Sequence, residues 1–494
     1  MFSSITNMTK PKAKDLHHLF SEEAKSRNPS QLKQAFKHFH DPNIISLGGG
    51  LPLPEFFPFD NLRTDTLSPP FAEGNNAPIT AQNKTEVSAQ KDKDTDDSIP
   101  LGVSLQYGNS AGNAKLLKYM VDHTKIVHNV AYEDWDVIMT VGNSHGWDSV
   151  LRTFTNRGDT ILAEEFTFAS AAECAHGLGL KIVPAKVDLY GLIPEELERQ
   201  LDNWVGPKPK VLYTIPTGQN PTGSTLSLER RKAVYALAQK HDFIIVEDEP
   251  YYFLQMAPYT KDLEERRKSL ETPTHQEFLN SLVKSYLDID TEGRVVRLDS
   301  YSKVLCPGSR VGWIVAQKEV TERMHRLHEV TVQFPSGFAQ TIVYGVLEKW
   351  GQEGYIDWLI ELKKSYTKKR DLAIDTLEKH LPKDICEFIA PEAGMFFWIK
   401  MDGRKYPKYK ELNGDPLAIE TDIYERGLQH GVQMIPGHWF IINDKTDPPQ
   451  KELPVSDDYA NAIYFRGTFA SAPEDKLVRA IELFGEHLVK VFKK

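Results

Sequence analysis

The stretch VVRLDSYSKVLCPGSRVGWIVA, residues 295–316, contains two apolar runs on either side of a polar loop. The runs Val295–Asp299 and Val311–Ala316 are short and rich in β-branched residues, which predicts two buried strands. The loop between them carries serines, a lysine and an arginine. Polar groups directly after a strand lie where α/β sheets bind ligands.

Four side chains of this loop suit a reactive amine beside an anion site: Ser300, Ser302, Lys303 and Arg310. A lysine attacks a carbonyl only as a neutral amine, and partial burial and nearby cations favour that form. The donor fork of Arg310 suits a phosphate dianion, and the serine hydroxyls add donors. The alternative is an exposed loop lysine, the ordinary state of lysines.

Strand and helix patterns alternate along the chain before this loop. Further predicted strands are Asp136–Val141, Thr160–Ala163, Lys210–Ile215 and Phe243–Glu247. Helical patterns lie at 112–126, 144–155, 193–204 and 227–240. Such alternation predicts an α/β fold in which helices flank a mostly parallel sheet.

Two turns after predicted strands have residue types that bind ligands. Gly142, Asn143 and Ser144 begin a helix, where free backbone N–H groups and a glycine favour an anion, although many strand–helix turns look similar. Asn220 lies in the turn 216–223, which contains two glycines and two prolines. Such a turn is tightly specified and can aim the Asn220 amide at a ligand, or be only a turn.

A carboxylate follows the strand Phe243–Glu247. Asp248 at this position can pair with a protonated pyridine nitrogen, which would keep an aromatic cofactor electron-withdrawing. Tyr251 is close enough in sequence to reach the same ring. The alternative is that Asp248 caps the next element, a common duty of aspartate after a strand.

The order of these motifs resembles the fold-type-I pyridoxal-phosphate enzymes, and class I/II aminotransferases in particular. The resemblance is strongest to the subgroup of fungal aromatic amino acid and kynurenine/α-aminoadipate aminotransferases. The segments that carry it are Ile45–Pro52, Leu105–Tyr107, Leu212–Gly223, Pro391–Phe397 and Phe465–Gly467. It implies a transaminase with pyridoxal 5′-phosphate as cofactor.

The resemblance also implies roles for individual residues. Lys303 would carry the cofactor and move the proton, Asp248 would face the pyridine nitrogen, and Asn220 and Tyr251 would bind the ring oxygen. The phosphate would contact Gly142, Asn143, Ser144, Ser300, Ser302 and Arg310. Phe168 would stack on the ring, with Phe166 as the alternative.

Substrate contacts follow from the same resemblance. Arg466 would grip the α-carboxylate, with Asn220, Gly50, Leu51 and Tyr107 as further contacts. Tyr107 would reach in from a partner subunit, which implies a homodimer with shared active sites. The animal kynurenine/α-aminoadipate aminotransferase has an arginine in a mobile N-terminal segment. The best match to that arginine in this sequence is Lys33.

The side-chain pocket has candidates that are mostly aromatic: Leu51, Tyr107, Phe334, Phe396 and Phe397. Such a lining suits Phe, Tyr, Trp or kynurenine, and core packing is the alternative. A preference for 2-aminoadipate or kynurenine stays open. A cofactor-binding regulator without turnover is the rival from another class.

The chain divides into three expected parts. Residues 1–60 would pack with the small domain and the active site, 61–345 form the large cofactor-binding domain, and 346–494 form a small α+β domain. The small domain would contain a helix Tyr355–His380, strands Met395–Lys400 and Ala462–Phe465, and a closing helix Pro473–Phe492. Polar, low-complexity residues 64–99 predict a long surface loop.

Composition limits the other classes of function. The 494 residues have a formal net charge of −10, which argues against nucleic acid as a partner. No apolar run is long enough to span a bilayer. Three cysteines without a CxxC pair suggest no metal site and a reducing compartment. Residues 1–14 contain lysines but no arginine, and Pro11 interrupts any helix there. A mitochondrial presequence usually has arginines on an amphipathic helix, so we expect the protein in the cytoplasm rather than in mitochondria.

Overall fold

The computed structural model describes residues 10–30, 43, 47, 50–442 and 460–493. Two sheets organise the chain. The strands are β1 Asn61–Leu67, β2 Lys84–Gln90, β3 Trp135–Thr140, β4 Thr160–Glu164, β5 Lys181–Ala185, β6 Val187–Asp188, β7 Gly191–Leu192, β8 Val211–Thr214, β9 Ile244–Asp248, β10 Val295–Ser300, β11 Gly312–Gln317, β12 Cys386–Glu387, β13 Phe396–Asp402, β14 Ile435–Pro436 and β15 Ala462–Thr468.

The α-helices of the described residues are distributed over the whole chain. They are α1 Glu22–Ser26, α2 Leu101–Ser104, α3 Ala114–Val127, α4 Asn143–Phe154, α5 Ala169–Gly177, α6 Pro194–Asp202, α7 Leu228–His241, α8 Leu263–Ser269, α9 His275–Ser281, α10 Lys318–His328, α11 Gly337–His380, α12 Pro416–Gln429 and α13 Glu474–Phe492. The helices predicted at 112–126, 144–155, 193–204 and 227–240 begin and end within two residues of α3, α4, α6 and α7.

The large sheet has seven strands in the order β3-β11-β10-β9-β8-β4-β5. Only β11 runs antiparallel to its neighbours, so the predicted α/β fold with a mostly parallel sheet is confirmed. Strands β8, β9 and β10 are adjacent and parallel. Their carboxyl ends therefore meet at one edge of the sheet, which brings together the turns that follow them.

The second sheet has four strands in the order β12-β13-β15-β14. It packs with the last turns of α11 and with α13 around a separate core that includes Leu377, Ile399, Phe465 and Ile481. The predicted small α+β unit is present. Helix α11 begins well before the predicted Tyr355 and contains a non-helical residue, Gly351. The expected boundary between residues 345 and 346 lies inside this helix and stays a prediction.

The segment 64–99, predicted as a long surface loop, contains most of a two-stranded hairpin. Strands β1 and β2 pair antiparallel over seven residues each, from Asn61 with Gln90 to Leu67 with Lys84. Val87 and Ala89 are buried, and Val87 contacts α11 at Gly345. The strands were missed because their polar outward side chains hide the alternation that signals a half-buried strand.

The described part of the N-terminal segment packs differently from the prediction. Leu16, Leu19, Phe20 and Ala24 belong to the core of the large sheet, and the Ser21 amide donates to the Thr153 carbonyl. This part therefore stabilises the large domain rather than the small one. In the described residues, no helix combines the length and the apolarity that a membrane crossing requires.

Candidate active site

Asp248 ends β9 and is held by two side-chain donors. Tyr213 on β8 donates its hydroxyl to Oδ2 over 2.6 Å, and Asn143 at the start of α4 donates Nδ2 to Oδ1 over 2.6 Å. Burial raises the pKa of Asp248 to about 6, although both donors lower it. The pair fixes the carboxylate plane and favours its ionised form.

Asn143 was expected to contact the cofactor phosphate, but its side chain points elsewhere. Its Nδ2 also donates to the Leu298 carbonyl over 3.1 Å, so the side chain is directed to Asp248 and not to the arginine. The Asn143 Oδ1 atom is buried and has no hydrogen-bond partner among the residues that the structure describes. A bound group with a donor at this position would satisfy that oxygen.

Arg310 lies against the Gly142 turn. Its guanidinium donates to the Val141 carbonyl over 3.0 Å and to Ser302 Oγ over 3.4 Å, and Ser300 Oγ donates to Ser302 Oγ over 2.7 Å. Gly142 has φ +80°, and an added Cβ would meet Arg310 Nη2 at 2.4 Å. Only glycine therefore leaves room for the guanidinium at the N-terminus of α4.

These donors fit the expected cofactor phosphate. An exposed guanidinium, two hydroxyls and the backbone amides of a helix start form a donor set for a dianion. Ser144, another expected contact, is exposed in the first turn of α4. Lys303 lies in the same loop, half-buried, and burial together with Arg310 lowers the pKa of its amine.

A second chain of contacts leads to the small sheet. Arg466 on β15 donates Nη1 to Asn220 Oδ1 over 2.7 Å, and Tyr251 packs edge-on against Phe396 with 5.9 Å between the ring centres. The Arg466 guanidinium carbon lies 4.5 Å from the ring centre of Phe396 and 4.6 Å from that of Phe440. The two rings hold a cation over their faces and keep its fork in place.

The turn that presents Asn220 rests on a buried carboxylate. Glu164, at the end of β4, accepts from Thr214 Oγ1 at 2.7 Å, from the Ile215 amide at 3.1 Å and from Gln219 Nε2 at 3.0 Å. Burial raises the pKa of Glu164 to about 7. These contacts fix the turn from its strand to the residue before Asn220.

The same turn also meets the small domain backbone to backbone. Gly218 has φ +61°, and an added Cβ would lie 2.5 Å from the Gly394 amide nitrogen. Nearby, the Gly394 amide donates to the Leu254 carbonyl over 3.0 Å. A side chain at Gly218 would therefore push the two domains apart at the active site.

In each of two pairs of predicted aromatic residues, one member is part of the core and the other is available to the site. Phe166 is buried and packs edge-on against Trp398 and Tyr464 in a structural cluster. Phe168 is half-buried just before α5, which leaves it as the better candidate for stacking. Phe397 is also core, since it fills the space beside Gly467, whereas Phe396 contacts Arg466.

The other predicted substrate contacts are not part of the hydrogen-bond networks described above around Asp248, Arg310 and Arg466. Tyr107 is on the surface with 56 % of its area exposed, Gly50 is exposed and Leu51 is half-buried. Phe334 is half-buried near Gly108. Lys33, residues 45, 46, 48 and 49 of the N-terminal motif, and Ile44 lie outside the described residues.

Three residues of the site were missed from the sequence. Tyr213 lies near the carboxyl end of β8, which pairs with β9, and Glu164 ends β4, which pairs with β8. The available signal was therefore a polar side chain near the end of a predicted strand. Phe440 offered none, because it lies far along the chain and reaches the site through the pairing of Phe166 with Ile441.

Comparisons with known proteins agree over nearly the whole chain. Residues 73–445 match the family model described as aminotransferase class I and II. An aromatic amino acid aminotransferase of Schizosaccharomyces pombe is 42 % identical over 97 % of this chain and 99 % of its own. An L-tyrosine:2-oxoglutarate aminotransferase of Serpula lacrymans is 32 % identical over 97 % and 96 %. The crystal structure of aminotransferase Aro8 from Candida albicans has 51 % identity and a TM-score of 0.94, covering 98 % and 100 %.

Proposed function

The chain belongs to the class I and II aminotransferases, and we propose that it moves the amino group of aromatic amino acids to a 2-oxo acid. The amino donors are Phe, Tyr and Trp, the acceptor is 2-oxoglutarate or a related oxo acid, and the cofactor is pyridoxal 5′-phosphate. The reaction is ping-pong, with the amino acid and the oxo acid using one site in turn.

The observation that carries the substrate proposal is the Arg466 guanidinium between two phenylalanine rings. A bidentate fork suits a carboxylate, and flanking rings suit an aromatic body attached to it. The names of the two fungal relatives support the same choice. A preference for 2-aminoadipate or kynurenine is the alternative within the family.

The groups around Asp248 and Arg310 divide the work of holding the cofactor. Arg310, Ser300 and Ser302 would bind the phosphate, Asp248 would bind the pyridinium, and Asn220 with Tyr251 would bind the ring oxygen. Phe168 would stack on the ring face. When bound, pyridoxal phosphate draws electrons from the substrate's α-carbon and so makes its hydrogen acidic.

Lys303 supplies the carrier amine and the proton transfer. Burial and the neighbouring Arg310 charge lower the pKa of its amine, so more of it is neutral near pH 7 than in an exposed lysine. The neutral amine is the base that would take the proton from the α-carbon of the substrate. Arg466 keeps the substrate carboxylate fixed during the transfer.

We also propose a homodimer in the cytoplasm, in which the partner's copy of Tyr107 completes each site. Exposed apolar side chains lie near Tyr107 in sequence, among them Leu53, Phe56 and Val103, and such exposure suits a subunit interface. The three cysteines are free, in keeping with a reducing compartment.

The decisive experiment is an absorbance spectrum of the purified holoenzyme before and after phenylalanine. We expect a visible cofactor band that bleaches with phenylalanine and returns with 2-oxoglutarate. A band that responds only to 2-aminoadipate or kynurenine would replace the aromatic assignment. A band that responds to no amino acid would favour the regulator without turnover. Failure to form any band with added pyridoxal phosphate would overturn the proposal.

A further inference from the structure

A cleft of about 1010 Å³ lies away from the catalytic group, and neither Lys303, Asp248, Arg310 nor Arg466 lines it. It is bounded by α8, α9 and the middle of α11. Its apolar lining includes Leu226, Met256, Phe278, Val283 and Ile360. This size and lining are those of small-molecule sites, which combine a mostly apolar wall with a few polar groups.

Lys363 is the polar group that sets this cleft apart. The side chain is half-buried, donates Nζ to Ser281 Oγ over 2.9 Å and lies 5.8 Å from the ring centre of Phe278. Burial lowers the pKa of the amine, and no carboxylate of the described chain forms an ion pair with it. A half-buried charge without a counterion is costly, and an anion in the cleft would remove that cost.

The other charged groups of the cleft are paired or lie at its rim. Lys364 pairs with Glu361 at 2.6 Å, and Arg230 pairs with Asp188 at 2.6 Å. The remaining charged lining residues are exposed: Lys268, Glu271, Glu277 and Glu392. Glu277 is also engaged in the capping box of α9. Among the described residues that line the cleft, Lys363 is thus the half-buried cation without a carboxylate partner.

We propose that this cleft binds a small organic anion, a carboxylate or sulfonate with an apolar aromatic body, whose acidic group pairs with Lys363. The aromatic body lies against Phe278, Met256 and Ile360, and the acidic group receives a hydrogen bond from Lys363 Nζ. The neighbouring Ser281 hydroxyl donates to the Phe278 carbonyl over 2.7 Å and so holds Ser281 beside the amine. The binding does not depend on transamination.

An occupant of the cleft would touch segments that continue into the active site. The Leu226 amide donates to the Pro216 carbonyl over 2.8 Å, at the start of the turn that carries Asn220. The Met256 amide donates to the Glu392 carbonyl over 2.8 Å, two residues before Gly394. Binding therefore bears on the joint between the domains, and we expect it to change the transamination rate.

The test uses the holoenzyme and the fluorescent probe 1-anilinonaphthalene-8-sulfonate, with naphthalene-2-carboxylate as competitor. We expect one saturable site that persists with phenylalanine at saturation. Lys363→Met keeps the apolar stem and removes the charge, so its affinity should fall about tenfold. Lys364→Met, the matched control in the same cleft, should keep the wild-type affinity within about twofold.

A second variant tests whether binding needs the open volume of the cleft as well as the charge of Lys363. Ser281→Trp would fill the cleft beside Lys363 and should abolish probe binding while Lys363 keeps its charge. Transamination by both Lys363→Met and Ser281→Trp should stay near the wild-type rate when no probe is present. The proposal is overturned if the probe fails to bind, if phenylalanine displaces it, or if the Lys363 and Lys364 variants lose equal affinity.

Discussion

The Tyr213 hydroxyl donates to Oδ2 of Asp248 over 2.6 Å from the neighbouring strand. The two residues lie at the carboxyl ends of adjacent parallel strands, with Tyr213 in register with Val246. With both donors in place the pKa of this buried carboxylate is raised to about 6, because burial outweighs the donors, so the loss of one donor raises it further. Tyr213 is thus a positioning residue whose effect is visible in the pH dependence of activity.

Tyr213→Phe should therefore move the acid limb of the kcat/KM profile to higher pH. Without the hydroxyl, the pKa of Asp248 rises further, and less of it is ionised at a given pH. We expect about a tenfold loss of kcat/KM near pH 7. Tyr119→Phe, whose hydroxyl donates to the Gly351 carbonyl instead, is the control and should keep the wild-type profile. An unshifted acid limb would contradict the role of Tyr213.

Lys303→Ala should nearly abolish transamination, by about a thousandfold or more, because both the carrier amine and the proton transfer are lost. The variant should still bind pyridoxal phosphate through the Arg310 and Asp248 contacts, which equilibrium dialysis can measure. Lys240→Ala, a surface substitution, serves as control. Normal turnover by Lys303→Ala would refute the assignment of the lysine.

Arg466→Lys should raise KM for the amino acid and for the oxo acid alike, by about ten- to a hundredfold, with a smaller change in kcat. A lysine keeps the charge but lacks the fork and fits poorly between the rings of Phe396 and Phe440. Steady-state kinetics with both substrates measure the effect, and Arg404→Lys on the surface is the control. A change in only one of the two KM values would be inconsistent with a shared carboxylate site.

Glu164→Gln should flatten the pH dependence of the free energy of unfolding between about pH 4.5 and pH 7. Burial raises the pKa of Glu164 from an ordinary 4.5 to about 7, so the folded protein keeps a proton that the unfolded chain releases in this window. Stability of the wild type therefore falls as pH rises through it, by about 3 kcal/mol for this group. Denaturant unfolding at several pH values measures the slope, and Glu229→Gln at an exposed position should leave it unchanged.

Gly218→Ala should destabilise the protein by about 2 to 4 kcal/mol and lower kcat/KM together with it. The new Cβ has no room beside the Gly394 backbone, and alanine is strained at φ +61°. Thermal unfolding and kinetics on one preparation test both effects. Gly177→Ala is the matched control, since no atom of the described residues lies within 4 Å of its added Cβ and its φ is not positive. Equal behaviour of the two variants would argue against a tight joint.

The strands and turns of the large sheet could be predicted because their sequence signals are local. The predicted strands Phe243–Glu247 and Val295–Asp299 are bounded by polar turns, and Asp248 and Lys303 lie in those turns. The hairpin of β1 and β2 could not be predicted, because its buried side chains pack against α11, nearly 260 residues further along the chain. The choice between Phe166 and Phe168 needed the packing of Trp398, which no local pattern encodes.

The position of β15 also bears on how the protein is made. It lies inside the small sheet between β13 and β14, and it is the last strand in the chain. As a ribosome releases the polypeptide from its N-terminus, every strand of the seven-stranded sheet emerges before residue 318, whereas Arg466 follows about 150 residues later. A nascent chain can thus form the groups that hold the cofactor while it still lacks the one that selects the substrate.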